Sequence, residues 1–93
     1  RDKNSTDILE SYLEKYPNTP MQSYINFLIG HSHYDRAKFD NAMKYYNQVD
    51  DLHLSDEDAE EFLFTKGYAL LSQKKYKDAS RCFHTLTGFN KKY

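Results

Sequence analysis

The chain has few of the residues that interrupt helices. Only three of its 93 residues are glycine and two are proline, which leaves little material for the many turns of an all-β chain. Apolar residues make up 39% and charged residues 29% of the sequence, a balance typical of a folded chain and not of a disordered one. The composition therefore predicts one domain, or part of one, built from long helices.

Cysteine pairs, excess charge and long apolar runs are also missing. Cys82 is the single cysteine, which excludes an internal disulfide framework and metal sites built from several cysteines. Thirteen basic and 14 acidic residues give a formal net charge of -1, so no basic face favours a nucleic-acid partner. We expect no membrane span. Because the chain starts at Arg1 and not at Met, we expect it to be a piece of a longer protein.

The sequence repeats itself at an offset of 37 residues. The segment 38–46 aligns with 75–83, and both follow the pattern Lys-aromatic-x-x-Ala-x-basic-x-aromatic. Upstream, Gly30 aligns with Gly67. A fixed period of this size is typical of stacked helical units. We therefore predict two repeats, 20–51 and 56–87.

Each repeat carries two helical patterns. Thr19 is predicted to cap a helix that starts at Pro20, with Gln22 completing a capping box. Ser55 and Asp58 are predicted to form the corresponding box in the second repeat. The predicted helices span 20–35, 38–51, 56–73 and 76–87, with a break near 36–37 and a tight turn at 73–75.

The first residues align with only half a repeat. Residues 3–16 match the second helix of a unit whose first helix is absent, and Pro17 is expected to block its continuation. At the other end, Gly88 is predicted to stop the last helix, and 91–93 to begin the next linker. The total is about five helices in an all-α chain.

Small residues and large residues recur at the same positions of both repeats, and these positions predict how the helices pack. Gly30 and Gly67 lack a Cβ atom, so a neighbouring helix can approach there, and Ala42 and Ala79 supply the matching small site. One such helix pair cannot bury its own apolar face, so stacking is required. The large residues that fill the remaining space are Phe39, Tyr46, Tyr76 and Phe83.

This spacing, Gly-x11-Ala-x3-aromatic, resembles the tetratricopeptide repeat over nearly the whole chain. The resemblance implies antiparallel helix pairs stacked as a right-handed solenoid. The period of 37 departs from the usual 34, and Asn26 and Leu63 occupy the usual tryptophan position. The linker Tyr-Pro-Asn-Thr-Pro at 16–20 is similar to that of long bacterial envelope proteins of this family, of Bacteroidetes type. That similarity implies a periplasmic or outer-membrane-associated location.

The resemblance also implies that the first helix of each repeat lines a concave groove. Aromatic side chains with polar tips are common at interfaces, so the groove is predicted to bind a protein or peptide partner. The alternative for Phe27, Phe64 and Leu71 is packing against the adjacent helix. The predicted partner-binding residues are Tyr24, Phe27, His31, Tyr34, Phe64, Tyr68 and Leu71.

Catalytic and metal-binding patterns are weak. His31 and His33 are two residues apart, which places them about 200° apart around a helix and prevents a shared metal. Cys82 and His84 have the same spacing, which denies them hydrogen-bond reach. The acids at 50–61 lack the glycine of a calcium loop, and helix capping explains them. We expect no cofactor, no metal and no enzymatic activity.

The sequence thus predicts a non-catalytic protein-interaction scaffold. Two alternatives stay open. The open ends of the stack could mediate self-association, or make the chain a spacer in a larger envelope protein. The chain could also be an accessory domain of an enzyme encoded elsewhere in the same protein.

Overall fold

The computed structural model describes residues 3–90, so the predicted linker at 91–93 lies outside the described residues. Within them there are five α-helices and no strand, which confirms the all-α prediction. The helices are α1 (Lys3–Lys15), α2 (Gln22–Asp35), α3 (Phe39–Tyr46), α4 (Asp56–Ser72) and α5 (Tyr76–Asn90), with a short 3₁₀ turn at Asp51–His53.

Helices α2 and α3 form an antiparallel pair. The rings of Tyr34 and Phe39 meet next to the turn, and the side chain of Ser23, near the start of α2, bonds to the backbone of Asp50 beyond the end of α3. Because the start of α2 lies beside the residues that follow α3, the two helices run in opposite directions. The pair α4 and α5 is joined by an equally short connection, at 73–75.

Both connections have the same backbone geometry. Ala37 adopts a left-handed conformation (φ 59°), and its N–H donates to the Tyr34 carbonyl oxygen while the Lys38 N–H donates to that of His33, both at 2.9 Å. This pair of bonds is the Schellman motif, which usually contains glycine at the left-handed position. Lys74 (φ 62°) repeats it one period later. The predicted break and tight turn are confirmed.

Gly30 and Gly67, which are one period apart, lie where an aromatic ring of the facing helix packs against the helix backbone, as predicted. A Cβ atom added at Gly30 would lie 2.5 Å from Cδ1 of Tyr46, and one at Gly67 would lie 2.7 Å from Cζ of Phe83. Real Cβ contacts do not approach this closely, so each glycine admits the ring of the facing helix. The same glycine–ring contact therefore builds both helix pairs.

The helices stack in three layers: α1, then α2 with α3, then α4 with α5. Tyr46 is fully buried between the second and third layers, where its ring lies edge-on to Phe62 and its hydroxyl bonds to Oγ1 of Thr65 at 2.9 Å. A hydrogen bond joins the first layer to the second. The Tyr45 hydroxyl donates to a carboxylate oxygen of Glu10 at 2.6 Å.

Two predicted helix starts have different outcomes. Ser55 caps α4, because its Oγ accepts the Asp58 N–H at 3.1 Å. Regular helix α2 begins at Gln22 and not at Pro20. The Thr19 hydroxyl accepts a hydrogen bond from the N–H of Met21. The Gln22 side chain donates to the carbonyl oxygen of Pro17. The predicted capping box at Thr19 is wrong, since Gln22 bonds to the preceding turn instead.

Two predicted helix ends are also wrong. Helix α3 ends at Tyr46 and not at 51. The N–H groups of Gln48 and Val49 donate to carbonyl oxygens only three residues back, and Asp50 is then extended, with its N–H bonded to Ser23 Oγ at 2.9 Å. Helix α5 runs through Gly88 to Asn90. Gly88 does not have a positive φ, so it provides no left-handed stop.

Candidate binding surface

One side of α2 and α4 carries most of the predicted partner-binding residues. Spacings of three, four and seven residues place side chains on one stripe of a helix, and the stripes of these two helices meet at His31–Glu61 and Tyr34–Tyr68 contacts. We call this the α2/α4 surface. Its residues are Tyr24, His31, Tyr34, Glu61, Phe64, Tyr68 and Leu71.

A cluster of three aromatic rings stabilises the end of this surface near the turns. Tyr34 and Phe39 lie 5.6 Å apart between centroids, and Tyr68 lies 6.2 Å from each of them, all edge-to-face. Tyr68 nevertheless remains 49% exposed. Burial raises the pKa of Tyr34, with Tyr68 and Asp35 adding to the effect, so its phenol stays protonated and can donate a hydrogen bond.

His31 connects the second and third layers. Its Nε2 lies 3.0 Å from Oε2 of Glu61 on α4 and 3.9 Å from the carboxylate of Asp35 on its own helix. Its ring stacks on Tyr34, at 6.0 Å and 11°. The other ring nitrogen, Nδ1, is buried and has no hydrogen-bond partner. The Glu61 contact and the Tyr34 stack together fix the orientation of the ring.

Phe27 and Phe64 occupy equivalent positions but different environments. Phe27 is only 4% exposed and lies edge-on to Phe62 at 6.2 Å. Phe64 is 52% exposed and rests on Phe83 at 6.4 Å. Phe27 is therefore part of the core between two layers and is not available to a partner in this structure.

The remaining predicted residues lie at the ends of the surface. Tyr24 is 37% exposed in the first turn of α2, and Leu71 is 41% exposed in the last turn of α4. The sequence prediction missed Phe39 and Asp35 as members of the same neighbourhood. The short turn predicted at 36–37 could have identified Phe39, because a tight antiparallel turn brings Phe39 against Tyr34.

The other candidate chemical groups do not form a site. Within residues 3–90 there is no group of three or more His, Cys, Asp or Glu residues that could hold a metal. Cys82 is buried, and burial raises the pKa of its thiol, which keeps it protonated and weakly nucleophilic. His84 is exposed. Among the described helices, none has the length and apolar character required to cross a bilayer.

Comparison with protein-family models, with curated proteins and with solved structures found no match to this chain. The function is therefore inferred from the α2/α4 surface and from the resemblance in the sequence.

Proposed function

We propose that the chain is a non-catalytic protein-interaction scaffold that binds a peptide or partner protein across the α2/α4 surface. The observation that carries this proposal is the pair Tyr34 and Tyr68, which come from two different layers and hold each other in a fixed edge-to-face geometry. Aromatic side chains that are ordered before binding lose little conformational entropy on binding. Such residues are enriched among those that dominate binding energy.

The charges around these rings indicate the chemistry of the ligand. Glu61 and Asp35 flank His31, and both carboxylates are more than half exposed. A ligand that packs an apolar side chain on the exposed part of Tyr68 would bring its neighbouring residues near these acids. We therefore propose a ligand segment that combines an apolar anchor with a lysine or arginine.

The family assignment is part of the same proposal. The glycine, alanine and aromatic positions that resemble a tetratricopeptide repeat lie in contact in the first helix pair, where the Gly30 position approaches both Tyr46 and the Ala42 backbone. Two identical left-handed turns one period apart add support. We propose a tetratricopeptide-type solenoid of bacterial origin, and on the linker resemblance alone a periplasmic or outer-membrane-associated location, which fractionation of the source cells would test.

Selection from a displayed peptide library tests the binding surface. The chain is the only selection target, and the selected peptides are then measured for binding to a Tyr24→Ala/Tyr68→Ala variant. The matched control is Tyr12→Ala/Tyr16→Ala, because Tyr12 and Tyr16 are 41% and 49% exposed and also contact each other. Circular dichroism first establishes that all three proteins are folded.

We expect selected peptides to bind the surface variant at least about 30-fold more weakly, since losing a dominant interface aromatic costs about 2 kcal/mol or more. Binding to the control variant should be unchanged. Equal affinity for both variants would exclude the α2/α4 surface as the binding site.

A further inference from the structure

Two carboxylates of neighbouring layers converge on one histidine of the α2/α4 surface. Nε2 of His31 lies 3.0 Å from Oε2 of Glu61 and 3.9 Å from Oδ1 of Asp35, so both carboxylates are within reach of a single cation. Both are more than half exposed, whereas the His31 side chain is mostly buried. A group that arrives from solvent therefore meets the two carboxylates before it meets the ring.

The 37-residue period does not reproduce this cluster. Each of its members aligns with a residue of another chemical type one period away. The aligned pairs are His31 with Tyr68, Asp35 with Ser72, and Glu61 with Tyr24. Since the stacking of the layers does not repeat these three side chains, their juxtaposition is specific to this one junction of α2 and α4.

The surrounding groups do not neutralise the two acids. Within residues 3–90, His31 is the only ion-pair partner of Glu61 and Asp35. Arg36 lines the cleft beside His31 but donates through Nη2 to Oγ of Ser32 at 2.8 Å. The α1 residues that line this cleft carry no charge, and they are Ser5, Thr6 and Leu9. While His31 is neutral, the two carboxylates are thus open to a cation from a ligand.

The charged form of His31 depends on the same two carboxylates. Its Nδ1 is buried and has no hydrogen-bond partner, so a proton added there gains no acceptor. Tyr34, which stacks on the ring, stays protonated and supplies no negative charge. The charge of the ring is then stabilised through Nε2, which faces Glu61 and Asp35. A ligand cation on these carboxylates would repel the charged ring, so the two exclude each other.

We propose that Glu61 and Asp35 form the subsite for the basic side chain of the ligand, and that His31 blocks this subsite when it is protonated. Ligand binding then weakens as the pH falls through the range in which histidine titrates. This inference rests on the proposed function, because it assigns the basic residue of that ligand to a place on the α2/α4 surface. It favours arginine, whose planar fork of N–H groups can bond two carboxylates at once.

A short peptide with an arginine tests the subsite. Glu61 and Tyr68 are two turns apart on α4, about 10 Å, and two residues of an extended peptide span about 7 Å, which leaves a gap that the long arginine side chain covers. The probe is therefore acetyl-Leu-Ala-Arg-amide, with the leucine on Tyr68 and the arginine at Glu61. The matched ligand is acetyl-Leu-Ala-citrulline-amide, which has nearly the same shape and no charge. Binding to the isotope-labelled chain is followed by NMR chemical shifts.

Two single variants separate the histidine from general effects of pH. His31→Gln removes the titrating group and keeps a polar side chain. His84→Gln removes an exposed histidine of α5, outside the α2/α4 surface. Circular dichroism at pH 7.5 and pH 5.5 first establishes that the chain and both variants are folded at both values.

We expect the arginine peptide to shift the amide signals of Glu61 and Asp35. It should bind about tenfold more weakly at pH 5.5 than at pH 7.5, as expected when one proton must be released for binding. The citrulline peptide should bind more weakly than the arginine peptide at pH 7.5 and should show no loss at pH 5.5. The pH dependence of the arginine peptide should persist in His84→Gln and disappear in His31→Gln.

Two results would overturn the subsite and leave the proposed function standing. One is equal affinity of the two peptides at pH 7.5 while both shift the signals of Tyr68. The other is the same pH dependence in the chain and in His31→Gln. A Kd weaker than about 10 mM for both peptides would also overturn the subsite, and the library selection would then decide by itself whether the surface binds peptides.

Discussion

Replacing Gly30 by alanine tests the packing of α2 against the Tyr46 ring of α3. The new methyl group would lie 2.5 and 2.6 Å from two ring carbons of Tyr46 and 3.2 Å from the carbonyl oxygen of Ala42. The ring of Tyr46 is fully buried against Phe62 and is bonded to Thr65, so it has no free space to enter. Moving it would also weaken that hydrogen bond.

The expected loss follows from three terms. Overpacking a well-packed site costs about 1–3 kcal/mol, and the weakened Tyr46 hydrogen bond adds about 1 kcal/mol. Alanine recovers about 1 kcal/mol, because it favours a helix interior more than glycine does. We therefore expect Gly30→Ala to lower the free energy of unfolding by about 2 kcal/mol.

The other two glycines serve as matched comparisons. At Gly67 the new Cβ atom would meet only the far edge of Phe83, at 2.7 Å, and that ring is partly exposed and can move. We expect the steric cost and the helix gain to cancel to within about 0.5 kcal/mol. At Gly88 nothing lies within 4 Å. Alanine there should stabilise the chain by about 0.5 kcal/mol, at the low end of the usual gain because Gly88 lies in the last turn.

Urea unfolding followed by circular dichroism at 222 nm measures all three variants. In thermal unfolding followed at the same wavelength, the melting temperature of Gly30→Ala should fall by about 10 °C, given roughly 4–8 °C per kcal/mol for a domain of this size. The packing argument fails if Gly30→Ala is as stable as Gly67→Ala, or if Gly88→Ala is the least stable of the three.

Three further perturbations test the turns, a histidine and the attachment of α1. Ala37→Gly and Lys74→Gly should each stabilise the chain by about 0.5–1 kcal/mol in urea titrations, because both positions are left-handed; a loss at either would contradict the reasoning. Burial lowers the pKa of His33 from its ordinary value of 6.5, so the unfolded state takes up the proton first and stability should fall as the pH drops below about 6.5. His33→Gln should reduce this fall in unfolding titrations between pH 7.5 and 5, and an unchanged pH dependence would contradict the role of His33. Tyr45→Phe removes a hydrogen bond to a carboxylate of α1 and should cost about 1 kcal/mol, seen as faster amide hydrogen exchange in α1; unchanged exchange there would show that the bond does not hold α1.

Helix existence was predictable from the sequence, but helix ends were not. Glycine is the usual signal for a helix end, yet the two left-handed turns contain Ala37 and Lys74, and Gly88 lies inside a helix. The repeat alignment located both turns correctly because it compares positions and does not depend on residue preference. After the early end of α3 the chain is held by a bond between Ser23 and Asp50, which are 27 residues apart and which no local pattern connects.

The candidate surface was predictable in part. Helical spacing grouped His31 with Tyr34 and Phe64 with Tyr68, and the structure places the members of each pair on one side of their helix. The first pair is partly buried and the second is exposed. The same spacing could not separate Phe27 from Phe64, since a periodic sequence gives both the same local pattern. The two residues differ because α4 covers Phe27, whereas no further described layer covers Phe64. Burial here depends on the position of a helix pair in the stack and not on the residue.

The layered order also determines how the chain loses structure. Each layer contacts only its neighbours, so the interaction free energy is a sum of nearest-neighbour terms along one dimension. Phe62 and Tyr68 concentrate the aromatic part of one of those terms in a single helix. Opening of α4 therefore uncouples the chain into segments that exchange amide protons independently, whereas release of α1 leaves the other two layers thermodynamically linked.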